Sequence, residues 1–386
     1  MAINTQSILS TLETKIASMD SNTPLDDMIV NIKSYQEAGG VVSIQYDSSG
    51  AMPILDSAQA GLVLYSASDT ALYGFNGNTW AAVGNAAAGD AGGGGGWVFQ
   101  GSVSGYSSGG NPFPLATTVD KFPFASDGNA TDVGDLLQLT RQGAGQSSTT
   151  SGYTSGGDGG SNPENVIQKF SFSVDGNATD VGDLTLARSR VAGQSSSSSG
   201  YTSGGYNTSF THVNNIDKFS FAADGNATDV GDLTQARGYI AGQSSDISGY
   251  NSGGFTPSLV NTIDKFSFAA DGNATDVGDI TLARAAAAGQ SSTSSGYTSG
   301  GSNYNNIIDK FPFAADANAT DVGDLTENKR WLAGQSSTTS GYTSGGQNTA
   351  PVDLNVIDKF PFATDANATD VGDLTVARWQ AAGQQV

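Results

Sequence analysis

An acidic pattern, D-x-N-A-T-D-V-G-D, occurs six times and holds the densest set of oxygen ligands in the chain. In the first copy these ligands are Asp127, Asn129, Asp132 and Asp135, at spacings that would suit Ca²⁺. The bidentate glutamate that closes an EF-type calcium loop is absent. Aspartate, asparagine and glycine are also the residues that form tight turns. We therefore expect a turn at each copy and no cofactor, with Ca²⁺ as the one candidate ion.

Six arginines follow the acidic segments at a repeated spacing. Because a guanidinium bridges carboxylates well, we expect ion pairs between neighbouring repeats. The arginine falls one place late in the first and fifth copies, where Thr140 and Lys329 hold the aligned position. A pore ring that binds an anionic sugar is the alternative, and repetition in all six copies favours the structural role. The arginines are Arg141, Arg188, Arg237, Arg284, Arg330 and Arg378, and the partners expected for them are Asp135, Asp183, Asp232, Asp279, Asp324 and Asp373.

Aromatic side chains are scattered over the segments that differ most between copies, which follow each GYxSGG sequence. Aromatic rings on polar loops suit contact with carbohydrate or protein, although ordinary loop drift is an alternative explanation. His212 is the only histidine and has no evident serine and aspartate partners for nucleophilic catalysis. The candidate binding-loop residues are Phe113, Tyr206, Phe210, His212, Phe255 and Tyr304.

All of these residues belong to one unit of about 48 residues that is repeated six times. A Lys-Phe pair recurs at spacings of 48, 49, 47, 45 and 49 residues, and GYxSGG also occurs six times. A period in this range indicates a propeller or a solenoid. Within one unit we predict strands over Ala285–Ser291, Gly296–Ser299, Ile263–Phe268 and Thr275–Ile280. Four strands in each of six units predict a mainly β chain with a six-bladed β-propeller.

The two ends of the repeat region are expected to meet in one blade. Residues 378–384 repeat the start of a unit but lack a following GYxSGG, whereas a GYxSGG without that start occurs at Gly105. We therefore predict that the C-terminal strand closes the ring, which leaves no open edge. The segment WVFQG, residues 97–101, either competes for that place or lies beside it.

The unit resembles a kelch repeat. The double glycine at Gly300-Gly301 is similar to that of kelch units, as are the aromatic Phe311 and the turn residue Asp316. The resemblance covers residues 97–386 and implies a kelch-like propeller. One position departs from the kelch pattern, because the usual outer-strand tryptophan is valine in all six copies.

Three shorter segments precede the propeller. Apolar residues at helical spacing predict two helices within residues 1–40. We expect them to form an N-terminal anchor for docking or oligomerisation, and the alternative is a helical hairpin that packs on its own domain. Residues 41–87 predict a small β module, in which Asn76-Gly77 indicates a hairpin. Residues 88–96 are rich in glycine and form the expected linker.

Composition narrows the class of function. The formal net charge of −21 argues against nucleic acid as a partner, because phosphate binding needs clusters of lysine and arginine. The sequence has no run of about 18 apolar residues, so we expect no insertion into a membrane. The chain has no cysteine and one histidine, which argues against a copper enzyme. We expect a protein that is not an enzyme.

The opening MAINTQSILSTLETKI, the segment LYGFNGNTWAAV and the repeated GNATDVGDL resemble structural proteins of tailed phages that infect cyanobacteria. The resemblance implies a virion protein, in the tail fibre or as decoration, located on the particle surface. It implies contacts with other virion proteins through residues 1–87, and with a host-surface glycan or protein through the propeller. We expect a homo-oligomer in the particle. The alternatives are a polysaccharide-degrading tail enzyme and a kelch-like protein-binding scaffold outside virions.

Overall fold

A computed structural model describes residues 99–111, 117–160, 162–303 and 305–386, together with the backbone of 43–46, 63–66, 71–75 and 80–82. The chain divides into two compact units, Met1–Gly96 and Trp97–Val386. The helices expected within residues 1–40 and the linker expected at 88–96 lie outside the described residues. Across the described part of the chain, no helix is long and apolar enough to cross a membrane.

The first unit contains a four-stranded sheet. Its strands are Ser43–Tyr46, Val63–Ser66, Ala71–Phe75 and Trp80–Ala82, in that order across the sheet. The first pair is parallel and the other two pairs are antiparallel. The last pair places Phe75 opposite Trp80, the hairpin that Asn76-Gly77 indicates.

The second unit is a six-bladed β-propeller, as the repeats predict, and each blade is a four-stranded antiparallel sheet. The strand nearest the axis comes first in each blade, except that in blade 1 it comes from the C-terminus. For blades 1 to 6, the inner strands are Ala382–Gln385, Ala144–Ser147, Ala192–Ser195, Ala241–Ser244, Ala288–Ser291 and Ala333–Ser336. The second strands are Ser104–Ser108, Ser151–Ser155, Ser199–Ser203, Ser248–Ser252, Ser295–Ser299 and Ser340–Ser344.

The other two strands of each blade carry the Lys-Phe pair and the acidic pattern. The third strands are Thr118–Pro123, Val166–Ser171, Asn215–Ser220, Thr262–Ser267, Ile307–Pro312 and Val356–Pro361. The outer strands are Thr131–Asp135, Thr179–Asp183, Thr228–Asp232, Thr275–Asp279, Thr320–Asp324 and Thr369–Asp373. Two further two-stranded pairs join Arg188–Ser189 to Tyr206–Asn207 and Lys329–Arg330 to Gln347–Asn348.

The hydrophobic core lies between the blades, in six clusters of the same composition. In one of them the ring of Tyr201 in blade 3 lies 5.4 Å from Phe266 and 4.8 Å from Phe268, both in blade 4. Ile216 and Leu233 also belong to this cluster. Each large side chain contributes about 1.5–3 kcal/mol when it is buried. Since each blade buries its aromatic residues against the next, no blade is expected to be stable alone.

Glycine allows the inner strands to approach one another closely. A Cβ on Gly289 would lie 2.1 Å from the carbonyl oxygen of Gly242 in the preceding blade, and the other inner-strand glycines are placed in the same way. The following glutamine donates to the next blade, as Gln243 does to the carbonyl oxygen of Tyr297 at 2.9 Å. These contacts repeat around the ring and fix the spacing of the blades.

The ring closes as the sequence predicts. Ala382–Gln385 pairs with Ser104–Ser108, with Gln384 opposite Tyr106. The segment that includes Gly101 lies beside this strand and does not replace it, because the Gly101 amide donates to the carbonyl oxygen of Ser336 in blade 6. Both ends of the propeller are therefore held in one place.

Candidate functional site

The side chains of the acidic pattern hold neighbouring blades together. The Asn177 side-chain oxygen accepts a hydrogen bond from the Asp135 amide of the preceding blade at 3.0 Å, and Asp132 accepts one from the Gly134 amide at 3.1 Å. These contacts recur in every blade. Among the described residues, no three histidine, aspartate or glutamate side chains gather as a metal-binding group.

Six lysine–aspartate pairs form a second set of contacts between blades. Lys310 on the third strand of blade 5 lies 2.9 Å from Asp365, the first residue of the acidic pattern in blade 6. The hydrogen bond to Asp365 raises the pKa of Lys310. The remaining pairs are Lys121–Asp175, Lys169–Asp224, Lys218–Asp271, Lys265–Asp316 and Lys359–Asp127.

The expected partners of the arginines are wrong. Each buried arginine enters the following blade and pairs with the aspartate of its third strand, not with the acidic residue that precedes it in sequence. Arg284 lies 2.8 Å from Asp309, and both side chains are fully buried. Burial lowers the pKa of Arg284, and the Asp309 charge opposes that shift. The other arginine pairs are Arg188–Asp217, Arg237–Asp264 and Arg378–Asp120.

In the two copies where the arginine falls one place late, a different residue occupies the buried position of the arginine. In blade 6, Lys329 replaces the arginine and lies 2.9 Å from Asp358. In blade 2 the pair is neutral, because Gln168 donates to the hydroxyl of Thr140 at 2.8 Å. Arg141 and Arg330 therefore take no part in these buried pairs. Arg141 pairs with Asp158 at 3.5 Å, and Arg330 stacks over the ring of Trp331 at 3.6 Å.

The repeats differ from one another at one face of the propeller. Turns between inner and second strands, and between third and outer strands, lie at one end of the blades, which we call the constant face. Its third-to-outer turns read D-G-N-A or D-A-N-A in all six copies. Loops after GYxSGG and the connections that enter each blade lie at the opposite end, which we call the variable face. There the sequences differ in every blade, so the variable face is the candidate site.

Six residues of the variable face, one from each connection, form a closed ring that we call the collar. Each has a φ between 57° and 63°, a region that residues other than glycine seldom adopt. Each amide donates to the carbonyl oxygen of the preceding member at 2.7–2.9 Å, and the ring closes from Gln142 to Gln380. The backbone is therefore the same at six positions that hold five types of side chain. The members in order are Gln142, Arg190, Tyr239, Ala286, Trp331 and Gln380.

The collar was missed by the sequence reasoning, although a signal for it exists. Its members stand two places after the buried arginine, or after Thr140 and Lys329 in the two shifted copies, and two before the invariant Ala-Gly-Gln of the inner strand. A variable position between two constant segments indicates that the fold fixes the backbone there without restricting the side chain. The collar borders a cavity of about 80 Å³, lined by its six residues and the residue that follows each.

Four of the predicted loop residues lie together on the variable face. The ring of His212 lies 5.0 Å from Tyr206 and 5.7 Å from Phe255, and Phe210 lies 6.1 Å from Tyr206. Arg190 of the collar stacks on Tyr206 at 4.2 Å. Phe210 is 62% exposed. The other two candidates, Phe113 and Tyr304, lie outside the described residues.

The single histidine predicts a pH dependence of stability. Burial, followed by repulsion from Arg190, lowers the pKa of His212 below its ordinary 6.5. As pH falls through 6.5, the unfolded chain therefore binds the proton before the folded protein does. We expect the free energy of unfolding to decrease from pH 6.5 down to the lower folded-state pKa, and to be insensitive to this group at higher pH. Urea unfolding of the wild type and of His212→Asn at pH 7.5 and 5.5 measures this contribution, and equal pH dependence of the two proteins would contradict it.

The fold and the collar define a class, a closed six-bladed β-propeller with one constant and one variable face. No protein-family model and no curated protein sequence matches this chain.

Proposed function

We propose that this chain is a structural protein of a tailed-phage virion that displays the variable face of its propeller to a host-surface partner. The observation that supports display is the concentration of differences between repeats on one face. On the constant face, the third-to-outer turns are nearly identical and repeat the same contacts in six blades. On the variable face, the collar and the loops carry different aromatic, amide and charged groups on a common backbone.

The placement of positive charge also supports a binding role for the variable face. In the described propeller, six lysines pair with aspartates between blades and five further cations are buried beside aspartates. The other three arginines, Arg141, Arg190 and Arg330, lie on the variable face, where Arg141 pairs with Asp158. They place guanidinium groups on that face of a chain whose formal net charge is −21.

The attachment to a particle rests on the resemblance of the N-terminal and repeat sequences to phage structural proteins. In this proposal residues 1–87 bind other virion proteins in a homo-oligomer, and the protein has no catalytic activity and needs no cofactor. Mass spectrometry of gradient-purified particles, with immunogold labelling by an antibody to the propeller, tests this location. Absence from the particles would instead favour the scaffold function. Turnover of host-envelope polysaccharide, abolished by Asp→Ala or Glu→Ala changes, would instead favour the tail enzyme.

A pair of surface variants tests the binding role of the variable face. Phe210 is 62% exposed on that face, and Ile247 is 66% exposed in a turn of the constant face. We expect Phe210→Ser to slow adsorption of particles to host cells by about tenfold or more, since aromatic anchors commonly contribute over 1 kcal/mol. Ile247→Ser removes a similar exposed apolar group and should leave adsorption unchanged. Equal effects of the two variants would contradict the assignment of the face.

A further inference from the structure

One residue that lines the collar cavity has a buried polar atom without a protein partner. Gln380 lines the cavity and is only 6% exposed. Its side-chain oxygen is buried and accepts no hydrogen bond from any described residue. Buried polar atoms are nearly always paired in native proteins, and an exception calls for an explanation. The oxygen is enclosed by the protein, so a hydroxyl or other donor on a molecule in the cavity would reach it once the Gln380 side chain turns toward the cavity.

A positive charge stands on the same ring. Arg190 stacks on Tyr206 at 4.2 Å and on Tyr239 at 4.8 Å, and it makes no ion pair with a described carboxylate. Its Nε donates a long hydrogen bond, 3.4 Å, to the side-chain oxygen of Gln142. A guanidinium held between two rings keeps its planar donor edge available, and a carboxylate is the anion that matches this edge in pairs of hydrogen bonds.

Two aromatic residues, Tyr239 and Trp331, also line the cavity. Trp331 is three places from Arg190 in the ring of six and so lies on the opposite side of the axis. Its ring centroid is 4.5 Å from that of Trp379. Tyr239 stands beside Arg190, and Ala286 leaves space between Tyr239 and Trp331. Arg330 covers the Trp331 ring at 3.6 Å, so the phenol ring of Tyr239 is the better platform. Its apolar body and polar edge suit the C–H and O–H groups of a sugar.

We infer that the collar binds the carboxylate-bearing residue of an acidic glycan. The carboxylate contacts Arg190, the sugar ring lies against Tyr239, and a hydroxyl donates to the oxygen of Gln380 once that side chain turns toward the cavity. The cavity of about 80 Å³ admits the carboxylate and neighbouring hydroxyls of one ring, so the rest of the glycan extends over the loops. This inference rests on the proposed display of the variable face and names the chemical class of its partner.

A matched pair of sugars tests the inference with the full chain. Glucuronate carries a carboxylate where glucose carries a hydroxymethyl group, so titration of each by calorimetry or ligand-observed NMR isolates the effect of that charge. We expect glucuronate to bind at least tenfold more tightly than glucose. Equal affinities, or no binding of glucuronate, would overturn the inference. Inorganic phosphate and acetate that bind as tightly as glucuronate, with the same dependence on Arg190, would replace it with a simple anion site.

Three variants assign the contacts. Arg190→Gln should lower glucuronate affinity at least tenfold, while Arg141→Gln, which changes a cation on the same face outside the collar, should not. Gln380→Leu should weaken binding without lowering the melting temperature, because it removes an acceptor that the folded protein does not satisfy. Retained affinity in Arg190→Gln would overturn the inference. Detection of the protein in particles is a separate measurement, so failure of sugar binding leaves the virion proposal to stand or fall alone.

Discussion

Replacement of Arg284 with methionine is expected to lower the free energy of unfolding by about 3–5 kcal/mol. Arg284 donates to Asp309 at 2.8 Å and to the carbonyl oxygen of Thr298 at 2.8 Å, and both charged side chains are fully buried. Without the guanidinium, the Asp309 carboxylate stays buried with hydrogen bonds only from Thr281. Chemical denaturation followed by fluorescence of Trp331 and Trp379 measures the loss.

The chain itself supplies the control variants for this experiment. Arg284→Lys imitates Lys329, which pairs with Asp358 at 2.9 Å in blade 6, and should cost far less than methionine. The double variant Arg284→Thr with Asp309→Gln imitates blade 2, where Thr140 and Gln168 form a neutral pair. Since removal of both charges is often neutral for stability, we expect the double variant to recover most of the loss. A double variant no more stable than Arg284→Met would show that the aspartate is not the source of the cost.

The sequence predicts the propeller because six copies repeat every local signal. The period, the Gly-Gly pair and the turn of the acidic pattern all agree on the same four strands. Closure follows from the unit that is split between Gly105 and the C-terminus, and Gln384 does lie opposite Tyr106. Agreement among local signals of this kind allows a fold to be predicted from a single sequence.

The same repetition hides the arginine partners. Arg188, Arg237 and Arg284 each have one aspartate five residues upstream and their actual partner 25 to 29 residues downstream. For Arg378 the partner, Asp120, lies at the other end of the propeller sequence. The contact depends on which strand lies beside the connection when the blade forms, and Asp309 on the third strand lies there while Asp279 does not. Sequence distance carries no information about that choice, so nearness in sequence gave the wrong partner.

The collar escapes prediction for a different reason. A φ near 60° normally requires glycine or asparagine, yet the six collar positions hold glutamine, arginine, tyrosine, alanine and tryptophan. Closed hydrogen bonding around the ring imposes this backbone, and it exists only after all six blades have assembled. The part of the candidate site that determines which ligand could bind is therefore a property of the assembled ring, whereas the loop aromatics are visible from sequence.

Gly289→Ala is expected to lower the free energy of unfolding by about 3 kcal/mol or more, at the upper end of overpacking costs. The new Cβ would lie 2.1 Å from the carbonyl oxygen of Gly242, a backbone atom that no change of rotamer can move. The two strands cannot separate easily, because the Ser244 amide donates to the Ser291 hydroxyl at 3.0 Å and Gln243 donates across the same boundary. In a closed ring, widening at one boundary must be absorbed by the other five. Denaturation midpoints measure the effect.

Gly272→Ala is the matched control for this substitution. A Cβ on Gly272 meets nothing within 4 Å, its φ lies outside the left-handed region, and blades 5 and 6 carry Ala317 and Ala366 at the same place. We expect this variant to be neutral or slightly stabilising, by up to about 1 kcal/mol, because alanine restricts the unfolded chain. If both variants unfolded at the same denaturant concentration, the inner strands would not be in contact around the axis. The collar rests on those strands, so the cavity that it borders would then have no fixed shape.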